Sequence, residues 1–367
     1  MIRSHGAPAG ITFHPKWWHT NFGTNFNKPF YYDPKFRIEQ DMTMRRQLWE
    51  KFGDLGIGEK HPEPQPIIGS KFTAMGWMIA ATLGAQIRYL DDAPPWPICA
   101  EWDDDYADHV KVPDITTAPF MSDVLRQMDW LEKEYGYIDG DINLQGVLNV
   151  AIETRGQMIF IDMIEHPERA HHIFDVIADT IIACAGAIRE RSRSTSIGVT
   201  TMAMLYDRVS GFERGVTVVS NCTVEMISNE HYEEFILPYD TRISETLRPF
   251  GVHHCGFNLD HVTKGYSKIP NLDFIEIGYG SGLKTCRRIF ADKYVNARYG
   301  PVKMRNSTCE EIDFDVAEIC ACRPDSMSVV AVDDHVTDEQ VRAYFNAADK
   351  WWNNADHIQP RDVIPPK

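Results

Sequence analysis

Gly251-Val252-His253-His254-Cys255-Gly256 is a short apolar-flanked run that ends in an imidazole and a thiol two positions apart. It reads as a strand with a site at its tip. Successive strand side chains alternate faces, so His253 and Cys255 point one way and His254 the other. Nitrogen and thiolate donors side by side are the usual beginning of a zinc site. A buried cysteine between histidines bonded only to backbone would look the same in isolation, so the flanking sequence has to decide.

Working outward, the chain downstream of Arg214 alternates strand and helix. Candidate strands are Val216–Ser220, Val252–Cys255, Phe274–Ile277, Val295–Tyr299 and Met327–Val332. Helical patterns fall between and after them, at Ser228–Arg248, His261–Tyr266, Leu283–Phe290, Cys309–Cys322 and Thr337–Trp352. Repeated strand–helix units imply a parallel sheet. Their density, with room for further units upstream, predicts an α/β fold of the closed (β/α)8 TIM-barrel type, in which chemistry sits at the carboxyl ends of the strands. The residues at those ends are Asn221, Cys222, Glu225, His253, Cys255, the run Gly278 to Gly282, and Asp333, Asp334 and His335.

Upstream, the first 36 residues hold Phe13, Trp17, Trp18, Phe22, Phe26, Phe30, Tyr31, Tyr32 and Phe36 with no helical or alternating period. This predicts an irregular aromatic-rich extension, which could line an aromatic substrate cleft or serve as hydrophobic cover. Helices are expected over Ile38–Phe52, Phe72–Leu83 and Pro119–Tyr135, and through the long helical region Gly140–Arg155 and Gly156–Arg193. Asp91 to Asp105 is acidic, carries three prolines and reads as loop. No linker or internal repeat divides the chain, so residues 1–367 are expected to form a single barrel domain, with 1–60 as arm and helix.

Composition narrows the function. A net charge of -16 over 367 residues argues against nucleic acid or an anionic membrane as partner. No apolar run in the sequence approaches the length of a bilayer span and no secretory leader pattern opens the chain, so a cytoplasmic location is expected. Eight scattered cysteines in a chain of this size do not suggest a disulfide scaffold. The oligomeric state is left open, a homodimer included.

A catalytic zinc needs about three protein ligands and one open position. His253 and Cys255 supply two, and Cys222, Glu225, Asp333, Asp334 and His335 are candidates to complete the set. Asp240 is excluded, because a continuous helix from Ser228 would carry it roughly 18 Å from the strand tips. Cys320 and Cys322, two apart near a helix end, do not share a face and read as structural. Gly278-Tyr279-Gly280-Ser281-Gly282 is a turn able to approach a ligand, but it lacks the Lys-Ser/Thr ending of a phosphate loop. Asp333-Asp334-His335 begins like a corrinoid-binding signature and lacks its glycine, so no corrin ring is placed in this chain.

His253-x-Cys255-Gly256, preceded by Tyr232-Glu233-Glu234-Phe235 and Pro238-Tyr239, resembles the uroporphyrinogen decarboxylase superfamily. So do Gly146 through Arg155-Gly156, Asp162 and His166-Pro167-Glu168; the resemblance covers about residues 140 to 355. It implies the barrel fold and one of two chemistries. The decarboxylases carry an arginine-rich amino-terminal stretch, where this chain has His14-Pro15-Lys16-Trp17-Trp18. The cobamide-dependent methyltransferases carry zinc on a His-x-Cys-Gly strand and a third cysteine after the last strand, a place that falls here near Asp333 or Asp334. The aromatic arm makes the chain most similar to the methyltransferase components of corrinoid-dependent O-demethylases.

The resemblance therefore implies a zinc-dependent methyltransferase that moves a methyl group from a methoxylated, aromatic small molecule to the reduced corrinoid of a separate protein. His253, Cys255 and Glu225 are the expected metal ligands. Glu225, Asp333 and Asp334 are the candidate catalytic acids, and Trp17, Cys222 and Tyr279 the candidate substrate contacts. Two alternatives stand beside it. One is methyl transfer from a methylcorrinoid to a thiol, which a cysteine-richer metal sphere would suit. The other is a metal-free lyase of the decarboxylase kind, with Arg298 and Lys284 as its basic residues.

Overall fold

The computed structural model describes residues 5–70, 72–73, 75–142, 144–193, 215–256 and 258–358. The ends of the expected single domain, 1–4 and 359–367, lie outside these. Strands in chain order are β1 (Ala9–Phe13), β2 (Ile67–Gly69), β3 (Gln86–Arg88), β4 (Trp96–Ile98), β5 (Asp139–Asp141) and β6 (Leu144–Gln145). They continue with β7 (Thr217–Ser220), β8 (Phe250–His253), β9 (Leu272–Gly278), β10 (Tyr294–Arg298) and β11 (Ser326–Val332).

Seven of them form one curled parallel sheet in the order β1-β11-β10-β9-β8-β7-β6. This is a half-barrel, and among the described residues it does not close into the expected eight-stranded barrel. The break has a local cause. β5 pairs with β2 in a separate two-stranded sheet, and three positions later the same run, as β6, pairs with β7. β2 is held to three residues by Pro66 before it and by Gly69, whose φ of 94° ends the extended run. A ladder across the gap from β6 to β1 would need continuous strand where the chain changes partner.

The amino-terminal extension is not irregular. Ala9–Phe13 is β1, in parallel register with β11, and short helices follow at Pro15–Phe22 and Lys28–Tyr32. Their rings build core. Phe13 stacks on Trp17 with centroids 4.0 Å apart and on Phe52 at 5.9 Å, and Trp18 meets Trp17 edge-on at 5.0 Å. Trp17 and Trp18 are fully buried. Aromatic periodicity failed as a guide here because the segment changes from strand to helix within a few residues, so neither period persists.

Other differences place the site. The helical region expected from Gly140 yields β5, β6 and then a helix only over Val147–Thr154. The loop expected at 91–105 contains β4, which pairs antiparallel with β3 as a hairpin, and ends at the start of the Asp104–His109 helix. The expected Ser228–Arg248 helix is two helices, Asn229–Phe235 and Leu237–Thr246, with the second opened by Pro238. Finally, Pro167–Arg191 is long and apolar enough by composition to cross a membrane, contrary to the sequence-based expectation. In its most apolar window 56% of residues are buried inside the fold, where the helix packs against Val147–Thr154 and Leu237–Thr246.

Candidate metal centre at the strand tips

Register brings the site together. Gln145 lies beside Ser220, and Ser220 beside His253, at the carboxyl ends of β6, β7 and β8. The Asn221 N–H donates to the His253 carbonyl at 2.8 Å, fixing the turn that holds Cys222 against the end of β8. The ligand atoms of Cys222, His253 and Cys255 thereby lie within 4.8 Å of one another. Donors around a tetrahedral zinc stand about 3.5–3.8 Å apart, so drawing in by about an ångström seats the ion. Two cysteines and one histidine with a fourth position open is the donor set of a catalytic site.

The support behind these donors is equally specific. His253 Nδ1 lies 2.9 Å from Glu276 Oε2, which leaves Nε2 as the nitrogen free to bind metal. Glu276 is fully buried on β9, and its other oxygen is 2.8 Å from Arg298 Nε. The Arg298 Nη2 group in turn donates to the carbonyls of Cys255 (2.7 Å) and Gly256 (2.6 Å). One buried ion pair thus orients the imidazole and anchors the backbone that carries Cys255. Burial opposes charge on His253, but the Glu276 carboxylate and the Cys255 sulfur overcome it and lift the group to about 9. Cys255 is held well below a normal thiol by the hydrogen bond from Cys222, aided by His253 and Arg298, and Cys222 is correspondingly raised.

Beneath the donors lies a second buried polar network. Asp240 accepts from Asn221 Nδ2 and from the Tyr232 hydroxyl, both at 2.7 Å. The helix breaks at Ile236, so Asp240 reaches Asn221 at the strand tip despite the distance that a continuous helix implied, while it stays outside the donor set as expected. Burial raises this carboxyl to about 6. His254 points away from the donors, as strand alternation requires, and its Nδ1 meets the Tyr266 hydroxyl at 3.0 Å. Burial, then the neighbouring His253, pushes it down to about 3.

The remaining candidates fall elsewhere. Cys222, read from sequence as a substrate contact, belongs to the donor set. Glu225 lies outside that set, its Oε2 2.7 Å from where a Cβ on Gly256 would be. Asp333 pairs with Arg305 at 3.0 Å and accepts from the His335 N–H, and Asp334 accepts from Thr20 at 2.9 Å. Trp17 is core. Tyr279 reaches Asp315 and Glu318, both at 2.7 Å, and faces a separate cleft that it shares with Lys284.

The cavity beside the donors holds about 780 Å³. Cys222 and His253 form part of its wall, with Ser220, Gln145, Asn149 and Glu153 beside them and Trp77, Trp96, Pro94 and Leu90 opposite in chemical character. The β3–β4 hairpin supplies much of the apolar part and is tied to the Val147–Thr154 helix, where Ala100 N–H donates to the Glu153 carbonyl and Trp102 N–H to that of Thr154. Glu276, Glu153 and this hairpin were not among the residues expected from the sequence. Glu276 did leave a signal, a lone carboxylate between Ile275 and Ile277 in a buried parallel strand. The others lay in segments assigned to helix or loop.

No family profile matches the chain, and no curated protein matches it. Among solved structures it resembles a methyltransferase from Methanosarcina mazei, with a TM-score of 0.66 over 96% of this chain and 94% of that one, at 13% identity. At that identity the likeness establishes a shared fold.

Proposed function

We propose that the protein is a methyltransferase in which Cys222, His253 and Cys255 hold zinc beside a small organic substrate bound in the adjoining cavity. The observation that carries this is the convergence of two thiols and an imidazole, one position short of a tetrahedron, with Cys222 and His253 of that set on the cavity wall. The fold shared with the M. mazei methyltransferase supports methyl transfer as the reaction class. When bound, zinc would supply a Lewis acid that lowers the pKa of a substrate group. Glu276 fixes the His253 ring for that role, and Arg298 holds the Cys255–Gly256 backbone still.

The donor set also bears on the substrate. Two thiolates and a neutral imidazole balance the charge of a divalent ion, and such a sphere suits activation of a thiol. A carboxylate ligand would have favoured ether cleavage, and Glu225, Asp333 and Asp334 lie outside the donor set. Methylation of a small thiol, with the methyl group supplied by the corrinoid of a separate protein, is therefore the reading favoured here. Demethylation of a methoxylated arene is the second, supported by the tryptophan and proline walls of the cavity. A lyase of the decarboxylase kind is disfavoured, because Arg298 is buried against Glu276 and engaged with backbone carbonyls.

The test is methyl transfer by the purified, zinc-loaded protein, with methylcobalamin and a panel of small thiols, and with reduced cobalamin and methoxyarenes. Thioether formation that is lost in Cys255→Ala supports the thiol reading. Methoxyarene consumption without thioether formation shifts the function to O-demethylation, and neither activity in zinc-loaded protein removes methyl transfer.

A further inference from the structure

The polar wall of the cavity lies outside the metal donors and their support. Glu153, in the Val147–Thr154 helix, and Gln145, at the tip of β6, both line it. Gln145 Nε2 donates to Glu153 Oε1 at 2.9 Å. The other carboxyl oxygen, Glu153 Oε2, and the amide oxygen, Gln145 Oε1, are buried without a hydrogen-bond partner among the described residues. Glu153 is in no ion pair among those residues, although His14, Arg88 and His253 border the same space. A carboxylate in that position would be a largely desolvated charge without a counter-charge among the described residues. Burial accordingly pushes Glu153 up to about 8, so it carries its proton at neutral pH.

We propose that Glu153 and Gln145 are the recognition element for an uncharged hydrogen-bond acceptor on the molecule that occupies the cavity. The protonated carboxyl donates to a carbonyl or ether-type oxygen, and Trp77 and Trp96 take the flat apolar body that carries it. Gln145 fixes the carboxyl orientation through the 2.9 Å bond. The ligand class is thus neutral, flat and apolar with one acceptor at its edge, and a cationic amine is disfavoured because it would require ionised Glu153. This deepens the function proposed above and rests on the cavity being its substrate site.

The sign of the pH dependence follows. A carboxyl whose pKa is raised holds its proton below about 8 and loses it above. Affinity that depends on the donated proton is full below that pH and falls about tenfold per unit above it. His14, Arg88, Cys99, Cys222 and His253 also face the cavity, in the native protein and in Glu153→Gln alike, so the difference between the two profiles isolates Glu153.

The experiment is calorimetric binding of acetophenone and of cumene, its near-isosteric hydrocarbon, from pH 6 to 10, in the native protein and in Glu153→Gln. Neither compound has a methyl group to transfer, so the outcome is independent of turnover. Native protein is expected to favour acetophenone about tenfold near neutral pH, and to lose that preference through pH 8. Glu153→Gln, whose amide donates at every pH, is expected to keep a preference that does not change with pH. Equal binding of the two compounds by native protein would overturn the assignment, as would an identical decline in Glu153→Gln or tighter binding of benzylammonium. Failure of methyl transfer alongside the expected binding would instead overturn the reaction and leave the recognition element standing.

Discussion

The tips of β8 and β11 carry similar chemistry and come to different ends. His253 ends β8 and Cys255 lies just beyond it; Asp333, Asp334 and His335 follow β11, and both groups sit at the carboxyl edge of the same parallel sheet. At β8 the neighbouring strand is β7, whose tip lies in register with it and presents Cys222 within reach. At β11 the neighbours are β1 and β10, and the acids are taken up locally by Arg305, Thr20 and the His335 backbone. Three interstrand spacings, about 14 Å along the sheet, separate the two tips. Position at the strand ends is necessary for a site, but convergence with an adjacent strand decides which tip becomes one.

The sharpest way to break this comparison is to remove the donor from the neighbouring strand. Cys222→Ala should reduce zinc from about one per chain to a trace, read by plasma emission spectrometry after desalting. Cys255→Ala and His253→Ala should do the same. Full zinc in Cys222→Ala would mean that the third ligand lies elsewhere and that adjacency of β7 and β8 is not what makes the site.

A smaller effect is expected one layer out. Glu276→Gln keeps the shape of the side chain but weakens the hold on His253 Nδ1 and leaves Arg298 without its charge partner. Zinc affinity should fall about 10- to 100-fold, measured by competition with a chromophoric chelator, while stoichiometry at saturating zinc stays unchanged. An unaltered affinity would show that the imidazole is oriented without the carboxylate.

The same comparison shows what a sequence carries and what it does not. The His253–Cys255 pair was legible because strand alternation is local and the residue types are diagnostic. The parallel sheet was legible from the strand–helix rhythm after Arg214. Closure was not, because β2, β5 and β6 are two or three residues long, too short for any period to register. Glu225 was the expected third ligand and Asp333 another candidate, since finding Cys222 beside His253 and Cys255 requires strand order and not spacing. Asp240 was misplaced for a related reason: a helix extrapolated through Ile236 carries it outward, and the break before Pro238 brings it back to Asn221. Glu153 sits on a short amphipathic helix, where nothing in the sequence distinguishes a carboxyl facing a cavity from one facing water.

The smallest expected effect is at β11, and it is the one that sharpens the comparison most. Asp334 is partly exposed and accepts one hydrogen bond, from Thr20. Asp333 is partly exposed too and pairs with an arginine that is itself a third exposed. Pairs of this kind contribute about 0–1 kcal/mol. Asp333→Asn and Asp334→Asn should therefore retain zinc stoichiometry and affinity, and shift the urea midpoint by no more than such a pair allows. A loss of zinc in either variant would place a β11 carboxylate in the coordination sphere. It would also restore ether activation as the favoured chemistry, because a carboxylate ligand leaves the metal the stronger Lewis acid.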